Sequence, residues 1–136
     1  MNLNLSWGYV LSKIGQELDK KFSKQLEPYL INARDFGIML HVNNHPNISQ
    51  KEIGDALKID RTTMVQLIDN LEQKAYLQRT NNPKDRRSYG IVLTTEGKKV
   101  LDEMWAIMLQ SEKTVMDNLL EDYKLVLDDI INYIKR

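Results

Sequence analysis

The chain has no cysteine among its 136 residues. Nothing therefore points to an oxidising compartment, and sensing through a thiol is excluded. No apolar run reaches the length that a membrane-spanning helix needs, and the N-terminus lacks the charged and apolar regions of a signal peptide. The expected location is the cytoplasm. There is no glycine-rich phosphate loop, and neither histidine stands beside a plausible nucleophile. Neither an enzyme nor a resident cofactor is expected. Net charge is also lacking, with 19 basic and 19 acidic residues. Taken alone, that balance argues against a nucleic-acid partner. Internal repeats and low-complexity segments are absent too.

The chain is one domain's worth of sequence, and a core of that size is stable without metals or disulfides. Its charge is unevenly spread. Residues 1–57 are neutral, with six basic and six acidic side chains. Residues 58–99 carry nine basic and five acidic ones, and residues 100–136 carry four and eight. The middle segment is therefore at +4 and the last at −4. Local charge is what meets phosphates, so the middle segment is where a nucleic acid would bind.

That segment has a recognisable order. Ser49-Gln50-Lys51-Glu52 has the form of a capping box, in which hydroxyl and carboxylate each take an orphan helix amide. Ile53, Ala56 and Leu57 give the short helix behind it an apolar face. Lys58-Ile59-Asp60 breaks the pattern, and Asp60 is a good N-cap for a second helix with Met64, Leu67, Ile68 and Leu71 at helical spacing. Two short helices with a tight turn between them are a helix-turn-helix, whose second helix enters the DNA major groove. Tyr76-Leu77-Gln78-Arg79-Thr80 and Ser88-Tyr89-Gly90-Ile91-Val92-Leu93 are short and β-rich. They flank the polar tip Asn81-Asn82-Pro83-Lys84-Asp85-Arg86-Arg87, in which three of seven residues are basic. A hairpin with a cationic tip after a recognition helix is a winged helix.

Three runs in register resemble the MarR family of transcriptional regulators. The first spans Ile59-Asp60-Arg61-Thr62-Thr63 to Leu71-Glu72. The second is the wing, whose Asp-x-Arg signature is met by Asp85 and Arg87. The third is Leu93-Thr94-Thr95-Glu96-Gly97, a helix-opening Leu-Thr-x-x-Gly. The resemblance implies a mainly α, α+β winged-helix protein of about six helices with a two-stranded β-hairpin wing. Residues 1–30 and 100–136 would supply dimerisation helices, and residues 31–99 the winged helix-turn-helix, within one domain spanning 1–136.

The flanks fit this organisation. Val10, Leu11, Ile14, Leu18, Phe22 and Leu26 form one stripe on a helix from about Ser6 to Leu26. Trp7 and Tyr9 lie near its start, where a monomer would use large aromatics poorly and a dimer would bury them. Glu27-Pro28-Tyr29 ends the helix, because proline disfavours helix in the residue before it. Asn32 caps a second helix that turns Phe36, Met39 and Leu40 inward and ends near Asn43 or Asn44. His41 and His45 are spaced as a pair of metal ligands on one helix face would be, yet nothing completes a nitrogen- or sulfur-rich set. A helix C-terminus that favours cationic or polar residues is the alternative, and no metal is expected. After the wing, Thr94 or Thr95 caps a long helix lined by Leu101, Met104, Trp105, Met108, Val115 and Leu119. A last helix near Glu121 to Lys135 carries Tyr123, Leu127, Ile130, Ile131 and Ile134. A winged helix alone offers that stripe no partner, and a bundle of first and last helices from two chains buries it most economically.

The expected roles divide by chemistry. Ser49, Gln50 and Lys51, at a helix N-terminus, are candidates for phosphate. With Met64, Leu67, Ile68 and Leu71 inward, Arg61, Thr62, Val65, Gln66, Asp69 and Asn70 face outward. Gln66 can pair bidentately with adenine, Thr62 can bond to either base type, and Val65 can touch a thymine methyl. A solvated helix face is the alternative at Gln66 and Val65. Arg61, Thr63 and Asn70 complete the candidate DNA-contact set on this helix. Many family members have a basic residue at the position of Gln66 and a hydroxyl at that of Val65, which leaves the operator sequence open. The family resemblance makes Arg87 the minor-groove arginine and Asp85 its orienting partner, with Arg86 as the substitute and Lys84 on a phosphate. Family members also often bind small aromatic anions between the dimer helices and the winged helix. Trp7, Tyr9, Met104, Trp105 and Met108 are the candidates to line such a pocket, with plain core as the alternative. The function implied is a sequence-specific, double-stranded DNA-binding regulator, a ligand-responsive repressor acting as a homodimer on a pseudo-palindromic operator. A winged-helix protein-interaction module is the alternative, against which the basic tip argues.

Overall fold

A computed structural model describes residues 1–81, 87, 89–117 and 123–135. It contains, in order, α1 (Trp7–Leu26), α2 (Ala33–Asn44), β1 (Ile48–Ser49), α3 (Gln50–Leu57), α4 (Arg61–Gln73), β2 (Leu77–Asn81), β3 (Tyr89–Leu93), α5 (Thr95–Met116) and α6 (Tyr123–Ile134). Short 3-10 turns precede α1 and join it to α2. The expected helices and hairpin are all present; α5 ends at Met116, short of the expected Leu119, which lies outside the described residues. Among the described residues no helix is long and apolar enough to cross a membrane.

Helix starts are set by side chains acting on amides three residues away. Asn32 Oδ1 accepts from Asp35 N at 3.0 Å while Asp35 Oδ2 accepts from Asn32 N at 3.1 Å, closing a capping box on α2. Asp35 is buried, and that burial raises its pKa. Ser6 caps α1, and Thr94 rather than Thr95 caps α5. At the end of α1 the proline does not break the helical backbone at once. Glu27 keeps helical angles, the chain tightens into a 3-10 turn over Glu27–Tyr29, and Leu30 in the left-handed region (φ 58°) ends it. Proline is accommodated because it enters a new turn at its first positions, where its missing amide is not needed.

The core gathers Phe22 and Leu26 of α1, Ile31, then Phe36, Ile38, Met39 and Val42 of α2. Ile53, Met64, Ile68 and Leu71 bring in the helix-turn-helix, Leu77 and Ile91 the hairpin, and Val100, Leu101 and Met104 the start of α5. All of these lie in or beside the winged-helix unit. The outer half of α1 behaves differently, with Val10 and Leu11 exposed and Ile14 and Leu18 half-buried. On α6, Val126, Ile131 and Ile134 are exposed and Ile130 is half-buried, while Leu119 and the side chains of Tyr123 and Leu127 lie outside the described residues.

Two local details go beyond the sequence reading. The sheet has three strands, in order β1-β3-β2 and antiparallel throughout, because Ile48 and Ser49 pair with Ile91 and Gly90. The wing is thereby anchored to the first residues of the helix-turn-helix. On α3, Ala56 is exposed and Gly54 takes the inward place beside Ile53. Ile59 N donates to Gly54 O at 2.9 Å, and a Cβ on Gly54 would stand 3.0 Å from Ile59 O. The turn folds back onto a position where a side chain would obstruct it.

Candidate nucleic-acid interface

The base of the interface is the pair of capped helices. Ser49 Oγ accepts from Glu52 N at 3.2 Å and donates to Glu52 Oε2 at 2.7 Å. Ser49 N donates to the same carboxylate oxygen at 2.9 Å. The serine hydroxyl is thus committed to starting α3, and Gln50 and Lys51 follow it on the first turn. Lys51 Nζ lies 3.2 Å from Asp55 Oδ2, with both side chains exposed. Such an exposed pair is worth about 0–1 kcal/mol, so it yields readily to a stronger anion.

Asp60 starts α4 in the same way. It accepts from Thr63 N at 2.9 Å and from the Thr63 hydroxyl at 2.7 Å. These bonds, the backbone one first, hold the Asp60 pKa below the ordinary carboxylate range. Thr63, one of the expected DNA-contact residues, therefore has its hydroxyl engaged in the cap. Arg61, Thr62, Val65, Gln66 and Asn70 are exposed on the outer face, while Met64, Ile68 and Leu71 are buried and Leu67 is half-buried.

Asp69 departs from the expected outward face. It is half-buried because Arg79 of β2 reaches across to it, Nη2 donating to Asp69 Oδ1 at 2.6 Å and Nη1 to Glu72 Oε2 at 3.0 Å. Burial works against the Arg79 charge, but the Asp69 hydrogen bond and the two carboxylates outweigh it and raise its pKa.

The hairpin carries its face by register. Leu77 pairs with Leu93, Arg79 with Ile91 and Asn81 with Tyr89. Alternation along the strands puts these residues on one side. Arg87 is exposed in the turn before β3. Lys84, Asp85 and Arg86 lie outside the described residues.

These elements enclose one open cleft of about 670 Å³. Its walls include Gln50 and Lys51 from α3, Arg61 from α4, and Arg79, Arg87 and Tyr89 from the hairpin region. The two capped helices and the hairpin region thus bring Lys51, Arg61 and Arg87 to a common groove, to which α4 contributes Arg61 and Met64. Arg79 and Tyr89 were missed as members of this face. The signal was available in the period of two, since Leu77 inward places Arg79 on its side of β2, and Ile91 inward places Tyr89 on its side of β3.

The other candidates fall elsewhere. Met104 is fully buried in the core and Met108 packs partly against it. Trp105 is 45% exposed and stacks on Phe36 with ring centroids 6.4 Å apart. Trp7 is 79% exposed at the start of α1, and Tyr9 is half-buried. None of these five lines the cleft described above. His41 and His45 approach with ring centroids 4.5 Å apart, and His45 Nδ1 lies 3.1 Å from the His41 carbonyl oxygen. Burial, and then the neighbouring His45, lower the His41 pKa. Among the described residues no group of three or more His, Cys, Asp or Glu side chains is placed to hold a metal ion.

The chain is similar to known transcriptional regulators. A sequence model of the MarR family matches residues 31–88. The HTH-type transcriptional regulator PecS of Dickeya dadantii is 27% identical over 129 residues, covering 93% of this chain and 78% of PecS. The HTH-type transcriptional regulator SarZ of Staphylococcus aureus is 32% identical over 92 residues, covering 68% of this chain and 60% of SarZ. Among solved structures, the MepR–DNA complex of S. aureus superposes with a TM-score of 0.79 at 24% identity, covering 95% of this chain and 96% of MepR.

Proposed function

The chain belongs to the MarR family of transcriptional regulators, and we propose that it acts as a sequence-specific, double-stranded DNA-binding homodimer on a pseudo-palindromic operator. The observation that carries this reading is the convergence of Lys51, Arg61 and Arg87 on one groove beside the exposed face of α4. Cations lining a groove, together with Thr62, Val65, Gln66 and Asn70 exposed on α4 outside that groove's lining, have the division of labour that DNA recognition needs. Cations and helix ends meet phosphates, and short polar or apolar side chains meet base edges. MepR, which shares the fold, is solved as a complex with DNA.

In this reading residues 31–99 contact DNA, with Ser49 acting as the cap that presents Gln50 and Lys51. Asp85, Arg86 and Lys84 join Arg87 in the wing, and Arg87 enters the minor groove. Residues 1–30 and 100–136 assemble the dimer. What supports the assembly is apolar surface that the single chain leaves in water, namely Leu3, Leu5 and Trp7 at the N-terminus, Leu109 on α5, and Ile131 and Ile134 on α6. Scattered exposed apolar residues are ordinary, but a helix with an exposed apolar stripe at both ends of one chain favours a two-fold partner. Repression, with release by a small aromatic or anionic effector bound near Trp7, Tyr9, Met104, Trp105 and Met108, completes the proposal.

The test is sedimentation at micromolar concentration combined with a gel shift on the protein's own upstream DNA. A dimer of twice 15.9 kDa that shifts the DNA at stoichiometric amounts is the expected result. A stable monomer, or a dimer indifferent to DNA, would remove the proposal.

A further inference from the structure

Arg79 lies within the candidate DNA face but turns its charge inward. It sits at the middle of β2, opposite Ile91 of β3, and its side chain is 26% exposed. Its two terminal nitrogens grip separate carboxylates, Asp69 at 2.6 Å and Glu72 at 3.0 Å. Those acids stand three residues apart on α4, so they share one face of that helix. A planar guanidinium held at two points fixes both distance and angle, which a lysine ammonium cannot do. Two residues earlier on the same strand face, Leu77 is buried in the core. The hairpin is therefore held to the rest of the unit by an apolar contact at its root and by this bridge to α4 farther out.

Resting on the DNA-binding reading above, we infer that Arg79 is a positioning residue for operator recognition, its bridge to Asp69 and Glu72 setting the angle between the wing and the base-reading helix. Two elements that must enter neighbouring grooves at once gain affinity when their relative geometry is fixed beforehand. The bridge does so without using a DNA contact. It also neutralises two carboxylates that would otherwise repel the phosphates.

Asp69 makes the test sharp, because two roles give opposite signs. An acid that merely stands near DNA weakens binding, and its neutralisation tightens it. An acid that holds Arg79 in place supports binding, and its neutralisation loosens the operator complex. Fluorescence anisotropy would compare a selected operator duplex with a scrambled one over a range of salt, for wild type, Asp69→Asn, Arg79→Gln, Arg79→Lys and the Asp69→Asn/Arg79→Gln pair. Asp69→Asn is expected to weaken operator binding about tenfold while scrambled DNA binds as before or tighter. Arg79→Lys should lose as much as Arg79→Gln, the double variant should be no worse than either single one, and the salt slope should stay unchanged. Tighter operator binding by Asp69→Asn overturns the inference. So does a salt slope reduced by about one in Arg79→Gln, because that marks a direct phosphate contact. If the wild type discriminates and every variant discriminates equally, this inference alone fails. If the wild type does not discriminate at all, the DNA-binding reading fails and takes this inference with it.

Discussion

Gln66 and Gly97 show two different demands on a single residue. Gln66 is exposed one turn into α4, on the opposite side from the buried Ile68 and Leu71. If it pairs with adenine, Gln66→Ala should cost about 1–3 kcal/mol on the operator and relax preference at one position per half-site. Binding to scrambled duplexes should barely change, and a competition series reads both quantities. Gly97 answers only to the fold. A Cβ there would fall 2.0 Å from the carbonyl oxygen of Tyr76. The approach is enforced by Thr94, whose amide donates to Tyr76 O at 3.1 Å and whose hydroxyl accepts from Gly97 N at 2.9 Å. This is the physical content of the Leu-Thr-x-x-Gly run, a cap that pins the start of α5 to the chain entering β2. Gly97→Ala should destabilise by at least about 1–3 kcal/mol, as overpacking does elsewhere, read as a lowered midpoint in urea. Residual folded protein should keep its preference for operator.

Among elements, the wing gives the clearest experiment. Arg87 is exposed beside β3 and lines the cleft with Lys51 and Arg61. If it reads groove width and potential, Arg87→Ala should weaken binding most where operator flanks are A·T-rich. Replacing those flanks by G·C should mimic the loss in wild type and add little in the variant. A cycle between residue 87 and the flanks measures this, and simple addition of the two losses would place Arg87 elsewhere. Helix starts were the most legible elements, because Asn32, Ser49, Asp60 and Thr94 each act on an amide only three residues away. The hairpin was legible from its β-rich halves and polar tip. Strand β1 was not, since two residues carry no periodicity and their partners, Ile91 and Gly90, are some forty positions away. The Arg79 bridge was hidden for a related reason. It depends on how far β2 lies from α4, and the sequence shows only that an arginine and two acids are present. Asp69 looked solvent-facing on its helix, and only the neighbouring strand covers it.

At the scale of the molecule, neutrality and DNA binding are reconciled by segregation. The segment at +4 supplies one part of the cleft lining, with Arg61, Arg79 and Arg87, and α3 with its cap Ser49 supplies the rest, while the acidic excess falls in residues 100–136, on α5 and beyond. Operator affinity should therefore fall steeply as salt rises, through release of counterions from the phosphates that the protein neutralises. A response that is flat between low and physiological salt, in the same anisotropy assay, would exclude this mode. Removing residues 121–136 should leave chain that is monomeric or insoluble and no longer shifts operator, because α6 carries Val126, Ile131 and Ile134 exposed in the single chain. Two-fold symmetry also sets what the bound DNA must look like. A dimer with one recognition helix per chain needs two inverted half-sites about one helical turn apart, or a multiple of it. The most direct measurement is selection of duplexes from a random pool by the full-length protein, followed by sequencing. Enrichment of a pseudo-palindrome with half-sites about 10 base pairs apart, centre to centre, is the expected result. A pool that stays random, or that yields a single unsymmetrical site, would contradict a dimeric, sequence-specific DNA-binding regulator.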